Sequence, residues 1–235
     1  MLKPFLLSTF MTGTALLGIP EQALAASNNV PNDAKGLFGT IEIASDNLQS
    51  LPQWRKVVSS FPELSKTAAQ CDADIQDCKS QQMTLWRAKI RGLELSDPSI
   101  QIREINQFIN RWKQAADTNT VSKKDHWATP LEFIPIGGDS EDFAIMKYIS
   151  LKELGIDPSK MRIVVTNDVL RGVTHTILVV KYGKRTLILD SQNDTVLPEK
   201  LVQYYIPFYS VNETTRWAHI PKQTASVAAG TDKND

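Results

Sequence analysis

The stretch HWATPLEFIPIGGDSEDFAIMKYISLKELG, residues 126–155, is the most unusual part of the sequence. Pro130 and Pro135, followed by a glycine pair, predict non-helical turns in its first half. Asp139 is then a favoured N-cap for a helix that continues to about Leu154. Because this helix carries apolar residues on more than one face, we expect it to be central and buried, with its N-terminus presented by the glycine turn.

Beyond this helix the sequence changes to an alternating pattern that predicts β-strands. Three segments show it: MRIVVT (161–166), THTILVVK (174–181) and TLILDS (186–191). The YGKR turn joins the last two into a hairpin in which Ile177 lies opposite Asp190. Both faces of the middle strand are apolar, so we expect an antiparallel sheet that is covered on both sides.

The sequence before residue 126 has a helical pattern that runs from Pro52 to about Asp117. Its clearest part begins at Asp97, an expected N-cap, and continues with Pro98 at the first helical position. Together these patterns predict a single domain of the α/β (α+β) class. In it, a central helix packs on an antiparallel sheet together with an N-terminal helical layer.

Both ends of the chain are expected to lie outside this domain. Residues 1–25 combine one lysine, an apolar run and an A-x-A pattern, which is typical of a cleaved signal peptide and predicts export. A membrane anchor is the alternative, but prolines and threonines interrupt the apolar run before the ~18 residues that a spanning helix needs. We further expect a flexible lead-in at 26–51, the folded domain at 52–221 and a disordered tail at 222–235.

The charge balance and the cysteine content exclude two kinds of function, phosphate-based binding of nucleic acid and a cysteine metal site. The chain has 26 basic and 26 acidic residues, which argues against a protein that binds nucleic acid by neutralising phosphates. Its two cysteines are Cys71 and Cys78. In an oxidising compartment we expect them to form a local disulfide. A metal site would need two further soft ligands, and the neighbouring sequence supplies none.

The predicted hairpin places His175 and Asp190 diagonally on the same face of the sheet, about 7–8 Å apart. An acid that orients an imidazole forms the base half of a nucleophilic triad. Ser140, next to the N-cap of the central helix, would supply the nucleophile where the helix dipole stabilises an anion. The alternative is a partly buried histidine that is bonded to a neighbour and has no catalytic role. Spacing alone leaves both interpretations open.

Most of the sequence from about residue 54 to 220 resembles one protein family, the bacterial transglutaminase-like cysteine peptidases, which are LapG-type periplasmic proteases of the papain-like superfamily. The most specific motifs are WATPLEF, G-G-D-x-E-D-x-A-x-x-K-Y and Y-S-x-N-E-T. The resemblance is carried by DHWATPLEFIPIGGDSEDFAIMKY (125–148), THTILVV (174–180), LILDSQNDTVLP (187–198) and PFYSVNETTRWAHI (207–220).

This resemblance implies a papain-like, transglutaminase-like core with a Cys-His-Asp triad, in which His175 is the base and Asp190 the orienting acid. It also implies that the substrates are large surface adhesins and that an inner-membrane cyclic-dinucleotide receptor sequesters the protease. The acidic residues at the start of the central helix are, taken alone, typical of a capped first turn. The resemblance implies instead that they hold a calcium ion beside the nucleophile; they are Asp139, Glu141 and Asp142.

The departure from the family falls on the nucleophile, because family members have Cys in a D-C-E-D motif where this sequence has Ser140. A thiol with a pKa near ~8.5 can be ionised by a helix N-terminus and an imidazole. A hydroxyl must instead lose its proton to His175 in the transition state, in a site whose distances suit sulfur. We therefore expect a periplasmic pseudo-peptidase or binding module. The alternative is an active periplasmic endopeptidase that uses Ser140, His175 and Asp190.

Overall fold

The computed structural model describes residues 36–114 and 126–221. Its helices are α1 (Pro52–Ser59), α2 (Phe61–Ala73), α3 (Gln81–Leu93), α4 (Pro98–Ile109), α5 (Pro130–Ile136) and α6 (Ser140–Glu153). Its strands are β1 (Ile41–Ser45), β2 (Met161–Asp168), β3 (Val173–Tyr182), β4 (Arg185–Asp190), β5 (Asn193–Pro198), β6 (Tyr205–Val211) and β7 (Arg216–Ile220). The predicted central helix is α6, and the three predicted strands are β2, β3 and β4.

The strands form one antiparallel sheet of seven strands in the order β1-β7-β6-β2-β3-β4-β5. In the β3–β4 hairpin Leu178 pairs with Leu189 and Val180 pairs with Leu187, which is the register that the alternating pattern predicts. A shift of one residue would turn every side chain of a strand to the other face. The register therefore decides which polar side chains of β3 and β4 meet.

The helix α6 lies at the centre of the helical layer. Every residue from Asp142 to Leu151 is buried, because the helix packs against β2 and β3 and also against α4 and α5. Apolar side chains from the helices and from one face of the sheet form the main core, with Trp54, Trp86 and Phe133 among its largest members. This confirms the predicted α+β fold, with a central helix on an antiparallel sheet and an N-terminal helical layer.

A smaller apolar cluster covers the opposite face of the sheet. Strands β2, β3 and β4 contribute the middle of this cluster, and the segments before β1 and after β5 close over it. Its members are Leu37, Val164, Ile177, Val179, Ile188, Val202 and Tyr205. The expectation of a sheet covered on both sides is therefore confirmed for these three strands.

Two local predictions need correction, and the first concerns α5. Residues 130–136 form a helix instead of the non-helical turns that the prolines suggested. Thr129 and Glu132 form a capping box at its start, and Pro130 occupies a first-turn position where no N–H donor is required. Pro135 lies near the end of the helix, where the lost hydrogen bond costs less than it would in the middle.

The second correction concerns the lead-in at 26–51. Its described part, 36–51, includes the edge strand β1, which pairs with β7, so this part is not a flexible lead-in. The Glu42 carboxylate forms a 2.9 Å ion pair with Arg162 of β2, which ties this segment to the domain. The predicted signal peptide (1–25) and the predicted tail (222–235) lie outside the described residues.

The predicted disulfide is confirmed, since Cys71 and Cys78 are bonded to each other. The bond joins the last turns of α2 to the loop before α3. Within 36–114 and 126–221, none of the helices combines the length and the apolar character that crossing a lipid bilayer would demand.

The turn between α5 and α6 requires two glycines. Gly137 has φ 82° and ψ −158°, a conformation that residues with a Cβ atom essentially do not adopt. A Cβ on Gly137 would lie 1.9 Å from the carbonyl oxygen of Lys113, and a Cβ on Gly138 would lie 2.2 Å from Oδ2 of Asp142. The chain after α4 and the first turn of α6 thus pack directly on the glycine backbone, which fixes where α6 begins.

We predict that Gly137→Ala lowers the free energy of unfolding by at least about 3 kcal/mol, because backbone strain adds to a backbone clash. The matched control is Gly155→Ala, since Gly155 also has a positive φ, 87°, but has no atom within 4 Å of the added Cβ. That variant should lose only about 1–2 kcal/mol. Urea unfolding curves measure both values, and equal losses would contradict the proposed clash.

Candidate active site

Ser140 is the first residue of α6, and its hydroxyl lies against β3. Oγ of Ser140 accepts a 3.1 Å hydrogen bond from the backbone N–H of Thr176, the residue that follows His175. The same hydroxyl donates a 2.9 Å hydrogen bond to Oε2 of Glu141. The structure therefore brings Ser140 next to the strand position of His175, while the Ser140 proton is directed towards a carboxylate.

His175 and Asp190 form a directly bonded pair in the site. Nε2 of His175 lies 2.8 Å from Oδ1 of Asp190, and both residues are buried. A carboxylate only accepts hydrogen bonds, so Nε2 carries the proton of a neutral ring. Nδ1 is then the nitrogen that accepts a proton, and its polar neighbour is the Gln192 side-chain amide at 3.5 Å. The predicted pairing of base and orienting acid is thus present in the geometry.

Asp190 is held in its ionised form by three donors. The Tyr205 hydroxyl donates to Oδ2 at 2.6 Å, and the backbone N–H of Gln192 donates to Oδ1 at 2.9 Å. Burial by itself raises the pKa of Asp190, but the hydrogen bond and charge of His175, together with these two donors, outweigh it and lower the pKa to about 2. Burial and the nearby carboxylate raise the pKa of Tyr205, so the phenol remains a donor at all ordinary pH values.

Tyr205 was not identified from the sequence. It lies on β6, which β2 and β3 separate from β4 in the sheet, and its ring lies 5.7 Å from the ring of His175. The sequence does contain one signal, an aromatic-rich closing segment beginning YYIPFY (204–209). That pattern predicts packing on the sheet and does not single out one hydroxyl.

The three acidic residues near Ser140 have different surroundings. Asp142 is buried and accepts two backbone hydrogen bonds, from Ala128 N–H at 2.7 Å and from Asp139 N–H at 3.2 Å. Both of its oxygens therefore hold the chain at the start of α6, as the capping interpretation predicts. Because this role already engages both oxygens, a calcium ligand at Asp142 stays a prediction.

The fit of the site to calcium is therefore partial. Calcium takes six to eight oxygen ligands, and Asp139 and Glu141 supply oxygens of the right kind on either side of Ser140. In the part of the chain that the structure describes, no group of three or more His, Cys, Asp or Glu side chains is arranged to hold a metal ion. Backbone carbonyl groups and water would have to complete the ligand set.

Comparison with known proteins identifies a family for this arrangement. The family model described as bacterial transglutaminase-like cysteine proteinase (BTLCP) matches residues 65–225, which is more than half of the 235-residue chain. Among curated proteins, none matches the chain.

Solved structures of LapG from Legionella pneumophila are similar to this chain. The calcium-bound structure has a TM-score of 0.59 and 28% sequence identity, and the match covers 70% of this chain and 94% of that chain. An EGTA-treated structure has a TM-score of 0.55 and 31% identity, over 63% of this chain and 79% of that chain. A third LapG structure has a TM-score of 0.54 and 31% identity, over 59% and 78% of the two chains.

We predict that Tyr205→Phe lowers the free energy of unfolding at pH 7 by about 2 kcal/mol, because it removes a buried hydrogen bond to a charged group. The pKa of Asp190 is lower in the folded chain than the unfolded value of about 3.9, so this stabilisation is complete above about pH 4. It is lost as the pH falls towards 2. Urea unfolding at a series of pH values should show the difference shrinking across that range.

The control for this prediction is Tyr182→Phe. Tyr182 also donates to a carboxylate, but the bond to Asp97 is 3.3 Å long and exposed. Its removal should change stability by no more than about 0.5 kcal/mol. A loss for Tyr205→Phe that matches the control, or one that stays constant between pH 7 and pH 2, would contradict the assigned role of Tyr205.

Proposed function

The chain belongs to the bacterial transglutaminase-like cysteine proteinase family, and we propose that it is a pseudo-peptidase of that family. Such a protein keeps the fold and the partner-binding surfaces but does not cleave. One observation carries the proposal: the only two cysteines of the chain, Cys71 and Cys78, are joined in a disulfide. A member of a cysteine proteinase family that has no thiol lacks the nucleophile on which the family's chemistry depends.

The surroundings of Ser140 support the same conclusion. Its hydroxyl proton is donated to Glu141, so it is not placed for transfer to Nδ1 of His175. Carboxylates next to the hydroxyl oppose the negative charge that would develop on Oγ during nucleophilic attack. Among the described residues, the Thr176 N–H is the hydrogen-bond donor that would favour that charge, and a single donor offsets only part of the repulsion.

The partners follow from the family resemblance. We propose that the protein acts in the periplasm, where it binds large surface adhesins of the kind that active relatives cleave. It would also bind the inner-membrane cyclic-dinucleotide receptor that sequesters those relatives. In either case it competes with an active protease for a shared surface, and this function requires an intact fold but no turnover.

Calcium binding is a second element of the proposal. A structure of the similar LapG protein is described as calcium-bound. Here, Asp139 and Glu141 would contribute carboxylate oxygens beside Ser140, and Asp142 would hold the turn through its hydrogen bonds to Ala128 and Asp139. When bound, the ion would supply positive charge that fixes the acidic first turn of α6.

We predict that the wild-type protein does not cleave the N-terminal fragment of a large surface adhesin, whereas Ser140→Cys cleaves it measurably. The restored thiol would face the His175–Asp190 pair, which is already in place at 2.8 Å. Gel analysis and mass spectrometry of the fragment measure the products. If the wild type cleaves and Ser140→Ala abolishes cleavage, the protein is a serine endopeptidase and the pseudo-peptidase proposal fails.

A thiol-reactivity assay tests the site without a substrate. Ser140→Cys should react with iodoacetamide at pH 6 at least about tenfold faster than Ser159→Cys, because a helix N-terminus and an imidazole lower the pKa of a thiol. Ser159 is exposed and lies outside the site, so its variant reports an ordinary thiol. Equal rates would show that Ser140 and His175 do not form a working nucleophile–base pair.

Calcium removal gives a further prediction. The melting temperature should rise with Ca²⁺ and return to its original value with EGTA, since a ligand that binds the folded state stabilises it by about 2.7 kcal/mol at a hundred times its Kd. Asp139→Asn and Glu141→Gln should each reduce the rise. Glu63→Gln, an exposed acidic residue in the first turn of α2, is the control and should leave it unchanged. Identical melting curves with Ca²⁺ and with EGTA would overturn the calcium proposal.

A further inference from the structure

A buried lysine, Lys147, lies on α6, the helix that begins at Ser140. Lys147 has no exposed surface, and its Nζ has no hydrogen-bond partner among residues 36–114 and 126–221. It follows Ser140 by seven residues, so the two side chains share one face of α6 two turns apart. A lysine is almost never fully buried unless it is paired, so Lys147 is retained at a cost to stability.

Asn106 of α4 and Asn110, the residue that caps the C-terminus of α4, hold the segment that begins at Asp190. Nδ2 of Asn106 donates to the carbonyl oxygens of Asn193 and Asp194, at 2.8 and 3.1 Å. Nδ2 of Asn110 donates to the carbonyl oxygen of Asp190 at 3.0 Å and to Oδ1 of Asp194 at 2.9 Å. These bonds anchor the turn between β4 and β5, and with it the backbone of Asp190, to α4.

The same bonds fix the orientation of both amide groups, because an NH₂ group must face a carbonyl oxygen. Oδ1 of Asn106 and Oδ1 of Asn110 are therefore true acceptors, and both are buried without a partner among the described residues. The helix α4 packs against α6 and β5. The elements around the Asp190 segment thus contain one buried donor, the Lys147 ammonium with its three hydrogens. They also contain two buried acceptors, the Oδ1 atoms of Asn106 and Asn110.

The charges that act on Lys147 point to the same segment. Burial lowers the pKa of Lys147 to about 7, and the carboxylates of Asp190 and Asp194 act against that lowering. The side chains that α4 directs to this segment, Asn106 and Asn110, are neutral. Asp190 is therefore within electrostatic reach of three cationic groups: the His175 imidazolium when it is protonated, the Lys147 ammonium and the half-exposed Arg171 guanidinium, which is paired with Asp168.

We propose that Lys147 is a positioning residue that acts on His175 through Asp190. Its buried charge acts on the carboxylate, while Asn106 and Asn110 hold the backbone of the same segment in place. The same charge weakens the attraction between that carboxylate and a protonated imidazole at His175. The inference rests on the proposed site for the roles of His175 and Asp190 but requires no cleavage by Ser140.

The test is an NMR titration of the histidine rings, and it is simplified because the chain has three histidines. Replacing Lys147 by methionine removes the charge and keeps the length of the side chain. We expect Lys147→Met to raise the pH midpoint of the His175 ring titration by at least about 0.5 unit, the scale of a charge interaction at an effective dielectric constant near 20. A folded variant with an unchanged midpoint would overturn the proposal.

The matched control is Lys152→Met on the same helix. Lys152 forms an ion pair of 2.7 Å with Glu213, so a carboxylate outside the site already neutralises its charge. Its replacement should leave the His175 midpoint unchanged, and an equal shift in both variants would overturn the specific role of Lys147. A merely structural lysine would alter stability in the variant but not this midpoint.

A wild-type measurement decides the question if Lys147→Met and the more polar Lys147→Gln both fail to fold. The Lys147 side-chain resonances report its own titration, and the His175 ring signals should show a second inflection at the same pH. A His175 titration with a single inflection would overturn the proposal. Because this readout is independent of cleavage, it distinguishes failure of the inference from failure of the pseudo-peptidase proposal.

Discussion

The first turn of α6 is held from three directions, and the rest of the site depends on how it is held. Asp142 accepts hydrogen bonds from Ala128 and Asp139, the Gly137 backbone packs on the chain after α4, and the Thr176 N–H donates to Ser140. Together these contacts set the distance between the helix and β3. A nucleophile position at a helix N-terminus is useful only when that distance is fixed, because small displacements have large effects on reactivity.

The parts of the site that the sequence predicts are those with a local cause. The β3–β4 register follows from alternating hydrophobicity and a short turn, and with it the pairing of His175 and Asp190. The features that the sequence did not predict depend on competing local effects or on residues far away in the chain. The helix α5 depends on a capping box whose contribution competes with that of Pro135, and β1 is a strand only because β7 offers it an edge. The Tyr205 hydroxyl reaches Asp190 across two intervening strands, which no local pattern encodes.

The site is also part of what stabilises the domain. Asn110 binds both the backbone of Asp190 and the side chain of Asp194, and Asp190 in turn accepts the buried Tyr205 hydroxyl. Loss of the Asn110 amide or of the Tyr205 hydroxyl would leave a polar atom of the buried Asp190 unsatisfied, at a cost of about 1–3 kcal/mol. Selection for folding alone therefore preserves the geometry around His175. A family member without a thiol can keep an apparently complete acid–base pair for this reason.

The disulfide has a consequence for chemical durability. A catalytic thiolate in an oxidising environment is converted by peroxide through sulfenic to sulfinic acid, and the later step is irreversible for most proteins. In this chain both sulfur atoms of cysteine are already at the disulfide level. The methionines within the described ranges, Met83, Met146 and Met161, are buried in the core. Within 36–114 and 126–221 oxidants therefore find neither a free thiol nor an exposed methionine, and the surface of this domain persists under conditions that inactivate a cysteine protease of the same fold.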